Sequence, residues 1–323
     1  MEHRKDNQPK EQFKTMIGGQ ALIEGIMMRG PEKQAIVVRS KDGLVEKVEA
    51  IKASKDRHPI LGWPLIRGVV NFGASMYNGV KALMFSADYF PDEDDNDEPT
   101  KLERWIEKKF GTKAMEQFIL VMAVVLGLGF SIGLFFLLPM VVSEYLLAWI
   151  ASDFVRNLVE GLLRVAIFMA YMILVSRLKE MKRVFSYHGA EHKTIRCYEA
   201  RKPLTVENVR EMTRMHPRCG TSFLFVVMII SILVFSVFSS VLHIKAKLLK
   251  VIVKLLLLPV VVAISYEFNR FVGRHDNWLT RVLSWPGMMM QKFTTNEPDD
   301  SMIEVAIRSL ELVIPEQEGK DQW

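Results

Sequence analysis

The chain has 323 residues, of which 50% are apolar and 24% charged, with a net charge of +5. Its apolar residues fall in long blocks, which excludes an ordinary soluble domain, and the modest charge does not suit a DNA-binding protein. Two cysteines without regular spacing exclude a disulfide scaffold.

Residues 1–14 are polar and lack the apolar run of a cleavable signal peptide, so the first span is expected to direct insertion. Residues 15–52 read as strands. The stretches 20–29 and 34–40 are rich in Ala, Ile, Val and Met, with the turn residues Gly30-Pro31-Glu32 between them. Lys41-Asp42-Gly43 signals a hairpin into the alternating run 44–49, so a small antiparallel sheet is expected. Glu24 falls inside the first of these strands. It is read first as an outward solvated position and second as a site residue.

In 60–90, Arg67, Asn71, Ser75, Asn78 and Lys81 recur at spacings of three and four. That spacing predicts a helix with one polar stripe, lying in the membrane interface or on the sheet. The acidic run 92–98 is read as a solvated loop, and 101–116 as an amphipathic lead-in helix. Spans are expected over 118–142, 157–177, 222–242 and 249–267. Glu160 and Arg164, four apart in the second span, either pair on one face or leave Arg164 to snorkel.

Eleven Lys or Arg residues lie in 177–221 and one in 143–156. The positive-inside rule therefore places 177–221 and both termini in the cytoplasm, where Cys197 and Cys219 should stay thiols. Near the C-terminus, Ser301-Met302-Ile303-Glu304 fits a capping box that opens an amphipathic helix over 302–313.

The most informative stretch is 187–221, which holds three of the seven histidines and both cysteines. His188-Gly189-Ala190-Glu191-His192 is an H-x-x-E-H pattern. On a helix His188 and His192 share a face and can hold one ion, with Glu191 beside them as a general base. Gly189 inside the motif weakens the helix. His216 and Cys219, three apart, are the candidates for further ligands, after a helix over 206–215 capped by Thr205. Imidazole and thiolate together favour Zn²⁺. Four protein ligands would make a closed structural site and three would leave an open, catalytic one; both readings stand at this stage. Glu267, His275 and Asp276 follow the fourth span on the same side and are candidates for supporting carboxylate or imidazole contacts, against a simpler reading as an interfacial anchor with Arg270, Arg274 and Trp278.

Five separated motifs resemble the YqhQ-like family of bacterial membrane proteins. They are G-G-Q-A-L-I-E-G-I-M-M-R-G-P from Gly18, H-G-A-E-H-K from His188, H-P-R-C-G-T-S-F from His216, G-R-H-D-N-W from Gly273 and T-N-E-P-D-D from Thr295. The resemblance runs from about residue 16 to 313 and implies a multi-pass protein of the bacterial plasma membrane, with metal-dependent chemistry as the activity suggested for the family.

The expected fold is an α-helical polytopic membrane protein with four transmembrane helices, N-in and C-in, a small antiparallel β subdomain in the cytoplasm and an interfacial amphipathic helix. Its segments are a β-rich subdomain (1–59), interfacial helix, acidic loop and lead-in helix (60–116), first hairpin (117–177), basic loop with the His/Glu/Cys cluster (178–221), second hairpin (222–267) and a C-terminal segment packed on the sheet (268–323). Two functions fit. One is a zinc-dependent hydrolase acting at the cytoplasmic membrane face on a membrane protein, a peptide or a lipid headgroup. The other is a non-enzymatic accessory factor for membrane-protein insertion, contacting translocation machinery or a ribosome, with the cluster as a structural clip. The lipid bilayer is the expected partner in both, with homo-oligomers open and DNA excluded.

Overall fold

The computed structural model describes residues 13–51, 58–90, 105, 108–109, 111–146, 149–150, 152–242, 246–275, 277–317 and 319–322. Its strands are β1 (Gly18–Leu22), β2 (Gly25–Arg29), β3 (Lys33–Ser40) and β4 (Gly43–Ala50). The helices are α1 (Ile66–Ala87), α2 (Thr112–Ile132), a π-helical turn (Gly133–Leu137), α3 (Leu138–Leu146), α4 (Asp153–Val175), α5 (Lys179–Glu199), α6 (Val206–Arg210), α7 (Gly220–Leu242), α8 (Lys247–Arg274), α9 (Trp278–Thr294) and α10 (Asp300–Glu311). The acidic run 92–98 and part of the lead-in helix expected over 101–116 lie outside the described residues.

The chain divides into two compact units. The first comprises Met1–Phe90, Val175–Val226 and Val262–Trp323. Its four strands pair antiparallel in sequence order. β2 and β3 read as continuous apolar runs because both faces of the sheet are covered. On one face Ile26, Met28, Ala35 and Val37 pack with Tyr187, Ala190 and Ile195 of α5 and with Ile303, Ala306 and Leu310 of α10. On the other, Leu22, Met27, Ile36 and Val38 meet Ala82 of α1. Arg308 pairs with Glu46 and Arg39 with Glu304, tying α10 to the strands.

Two local expectations need correction. The stretch 20–29 is not one strand: it folds back at Ile23-Glu24, with Leu22 paired to Gly25. Glu24 takes a positive φ of 48° in that turn, so it is no strand position, and its carboxylate pairs with Arg183 and accepts from Tyr187 Oη at 3.1 Å. At the C-terminal helix the cap is Asp299, which accepts from Met302 N at 3.0 Å; Ser301 is already helical and donates to Asp299. A carboxylate two residues earlier out-competes the serine because it also offsets the positive helix terminus.

The polar stripe of α1 is partly turned to its neighbours: Arg67, Asn71 and Asn78 are half-buried, while Ser75 and Lys81 stay exposed. Arg67 pairs with Glu267 at 2.5 Å, Asn71 donates to Tyr266 Oη at 2.9 Å and Lys81 donates to Glu49 at 3.0 Å. The outward face carries exposed Val69, Met76, Tyr77, Val80 and Leu83. This inversion of the usual soluble pattern leaves apolar side chains where water would otherwise be.

The second unit comprises Pro91–Leu174 and Val227–Val261. Phe136, Phe235, Leu257 and Val261 form its described core. Along the whole chain, three described helical stretches are long and apolar enough to cross a membrane: Phe118–Tyr145, Phe154–Val175 and Leu249–Arg274. A fourth apolar stretch, Ser222–Phe238, is shorter. Three of the four expected spans therefore meet the length and hydropathy requirement among the described residues.

Candidate metal centre

The H-x-x-E-H pattern lies at the middle of α5, so its two histidines stack one turn apart. Their rings stand 4.4 Å apart between centroids. The glycine within the motif has a steric cause. A Cβ on Gly189 would sit 2.0 Å from the Asn296 carbonyl oxygen. Only glycine lets the segment after α9 press against α5, where Asn296 N donates to the Phe185 carbonyl at 2.8 Å. That approach brings the Thr294 carbonyl to 2.7 Å from His188 Nδ1.

A carbonyl oxygen only accepts, so His188 carries a proton on Nδ1 and points Nε2 inward. His192 is fixed the same way, donating from Nδ1 to the Arg214 carbonyl at 2.6 Å. Its Nε2 is buried and makes no hydrogen bond. Cys219, at the start of α7, places Sγ 3.1 Å from His188 Nε2. One ligand atom each from His188, His192 and Cys219 lies within 4.8 Å of the others; His192 and Cys219 are buried and His188 is half-buried. Ligand atoms on a shared tetrahedral zinc stand roughly 3.3–3.8 Å apart, so the trio fits such an ion after closing by about 1 Å.

The electrostatics agree with a cation site. Burial pushes the Cys219 thiol up, but the His188 and His192 imidazoles beside it prevail and hold it well below its usual value. Burial opposes charge on His188 as well, yet the adjacent Cys219 sulfur raises it to about 9. Glu191 is pushed up from the ordinary carboxylate range, chiefly by burial. Its Oε1 accepts from Gly19 N at 3.0 Å, while Oε2 is buried and makes no hydrogen bond. A Cβ on Gly19 would lie 3.0 Å from Glu191 Cδ and 2.8 Å from the Met27 carbonyl, so the glycine at 19 lets β1 reach that carboxylate.

A cavity of about 390 Å³ opens onto this side of the centre. Glu191, His192, His216 and Cys219 line it, together with Gln20, Ser75 and Asn78.

His216 is buried close by, its ring 5.6 Å from that of His192, but the structure does not bring it into the trio. Its Nε2 turns to Glu199 Oε2 at 3.4 Å, and its Nδ1 accepts from Arg218 N at 3.4 Å. Both ring nitrogens are thus engaged. Burial holds its pKa down at about 4. Glu199 also accepts from Arg218, and although burial opposes its charge, His216 and Arg218 keep it below the usual carboxylate range.

Of the supporting residues expected from sequence, Glu267 is taken by Arg67, Glu24 by Arg183, and exposed His275 donates from Nδ1 to the Phe271 carbonyl of the preceding helix at 2.8 Å. Asp276 lies outside the described residues. Two residues that sequence reasoning missed hold the site. Glu199 is seven residues beyond His192 on α5, a spacing that places it on the same helix face and was available as a signal. Gln291 is fully buried on α9 and clamps the His216 backbone, accepting from its N at 2.8 Å and donating to its O at 2.6 Å. No local pattern marks Gln291. Lys193, also buried, donates to the Arg210 carbonyl at 3.0 Å and pairs with Glu297 at 2.5 Å, pinning the loop before Cys219 to the segment after α9.

Comparison with known proteins is decisive about kinship. The family model described as "Protein of unknown function (DUF1385)" matches residues 63–316. The chain belongs to this family. It is also 32% identical over 305 residues to the protein named "Uncharacterized protein YqhQ" of Bacillus subtilis (strain 168), covering 93% of this chain and 92% of that relative. No solved structure matches the chain. The YqhQ-like resemblance and the match to this relative thus coincide over nearly the full length.

Proposed function

We propose that the chain is a multi-pass membrane metalloprotein with an open three-ligand centre, acting as a hydrolase at the cytoplasmic membrane face. The membrane reading rests on the three long apolar helices and on the outward apolar face of α1. The cytoplasmic placement rests on the basic residues concentrated in 177–221.

The observation that carries the metal reading is the pair of imidazoles whose Nδ1 protons are fixed by backbone carbonyls, leaving two Nε2 atoms and Cys219 Sγ directed at one place. His188, His192 and Cys219 would hold the ion, and the nitrogen–thiolate set favours zinc. A zinc ion there would supply Lewis-acid polarisation of a carbonyl or phosphoryl oxygen. Glu191 Oε2, buried and without a hydrogen-bond partner beside the cavity, accepts the proton from an entering water molecule. Its raised pKa makes it a stronger base than an ordinary carboxylate.

A closed structural clip would need a fourth protein ligand. His216 has both nitrogens engaged elsewhere, which favours the open centre over the clip. Elemental analysis of the purified chain tests the proposal. About one equivalent of metal in the parent and in E191Q, with almost none in the H188A/H192A double variant, is the expected pattern. Equal and near-zero metal in parent and double variant overturns it.

A further inference from the structure

The cavity beside the metal trio holds a cation that the chemistry above leaves unused. Among the described residues two arginines line it, Arg29 and Arg218. Arg218 is engaged by Glu199. Arg29 differs: it is half-buried, and its guanidinium makes no hydrogen bond or ion pair with the described residues. Burial lowers its pKa from the usual arginine value, opposed by the Tyr266 phenol and by no carboxylate among the described residues. An arginine stays charged all the same, with its forked N–H donors unspent.

The sheet explains why this side chain is open to the cavity. Arg29 closes β2, and its partner across the ladder is Gly18 of β1. Paired residues on neighbouring strands project to the same face, and a Cβ on Gly18 would meet nothing within 4 Å. Side chains alternate along a strand, so Arg29 shares a face with Met27, which lines the same cavity. Gln20 of β1 and Ser75 and Asn78 of α1 add amide and hydroxyl donors to the lining. Glu191 is the one carboxylate among the described lining residues, and its Oε1 already accepts from Gly19 N. A volume of about 390 Å³ suits a small molecule or a headgroup.

We infer that Arg29 anchors an anionic group of the substrate, a phosphate or a carboxylate, within the cavity that the metal trio borders. Both groups present paired oxygens to a guanidinium fork, so the chemistry is shared and the test separates the two. The assignment rests on the reading of this cavity as the substrate's place, and it makes the substrate an anion.

The full chain, purified in a mild non-ionic detergent, is titrated at constant ionic strength with inorganic phosphate and separately with acetate, and thermal unfolding is followed. Expected is a saturable rise in Tm with at least one of them, which names the group. R29Q should weaken that binding roughly tenfold or more, with metal content unchanged. R274Q removes an exposed cation outside the lining and should leave binding unchanged. A second measurement needs no variant: in the parent, the bound anion should slow phenylglyoxal modification of Arg29, but not of Arg274, as read by peptide mass spectrometry. The binding should also survive removal of metal by a chelator. No saturable effect of either anion, equal binding in parent and R29Q, or Arg29 left unprotected each overturns the anchor. A parent chain that lacks metal yet binds the anion through Arg29 overturns the metal reading alone, whereas a metal-loaded chain indifferent to both anions overturns only the anchor.

Discussion

In the second unit, Glu160, Arg164 and Lys254 are buried and bonded to one another. Both Glu160 oxygens accept from Lys254 Nζ, at 2.7 and 2.8 Å, and Arg164 donates to Glu160, to Ser231 Oγ and to the Phe135 carbonyl at the π-helical turn. The rings of Phe136 and Phe235 lie against the Arg164 guanidinium. In the first unit His192 and Glu191 are also buried, yet His192 Nε2 and Glu191 Oε2 make no hydrogen bond. Burying a polar atom without a partner costs about 1–3 kcal/mol. The Glu160 cluster joins helices; the His188 cluster leaves two buried polar atoms without a hydrogen bond.

The comparison is broken most directly at the metal ligands. H188A/H192A, and to the same degree C219S with H192A, should reduce bound zinc from about one equivalent to almost none, read by elemental analysis. Changing the joined cluster should do the opposite: metal content stays, and stability falls. E160A leaves Arg164 and Lys254 buried without their carboxylate and should cost about 3–5 kcal/mol in denaturant unfolding in detergent. Replacing all three by apolar residues of similar size should recover most of that loss, because no buried charge remains.

Gly189 sharpens the contrast between a site and its scaffold. G189A forces a methyl group into the Asn296 carbonyl and should cost about 1–3 kcal/mol of thermal stability. It should also weaken zinc, since the Thr294 carbonyl that orients His188 moves with Asn296.

The pH dependence of binding has a definite sign. His188 carries its extra proton up to about pH 9, stabilised by Cys219, and that proton must leave before Nε2 can serve as a ligand. Apparent zinc affinity should therefore rise with pH below about 9, by about tenfold per unit for one displaced proton, as measured by competition with a chelator.

The smallest effect is expected at His216. Its pKa in the folded chain is about 4 against 6.5 when unperturbed, so the unfolded chain takes up a proton that the folded one refuses. Stability should accordingly fall as pH drops from 6.5 towards about 4. H216Q should remove that part of the slope, cost about 1 kcal/mol through the lost Glu199 contact, and leave zinc stoichiometry unchanged.

Much of the site was legible from spacing alone. Two histidines four apart, with His216 and Cys219 both open as further ligands, pointed to a shared ion, and the structure brings His188, His192 and Cys219 together. The apolar blocks announced helices of spanning length, and three meet that length among the described residues. The hairpin at Glu24 was not legible, because both faces of β2 are covered and the alternation that marks a strand boundary is absent. The direction of the α1 polar stripe was not legible either: periodicity tells which residues share a face and is silent on what that face meets.

Local sequence, then, determined the helices and strands, the stacking of His188 over His192, and the family to which the chain belongs. These follow from backbone period and residue type, which act over a few positions. Tertiary structure alone decided that Cys219 completes the trio while His216 serves Glu199, and that the carbonyls of Thr294 and Arg214 set both imidazoles. Those outcomes depend on segments far apart along the chain arriving within hydrogen-bond distance of α5, and no short-range pattern encodes a meeting of that kind.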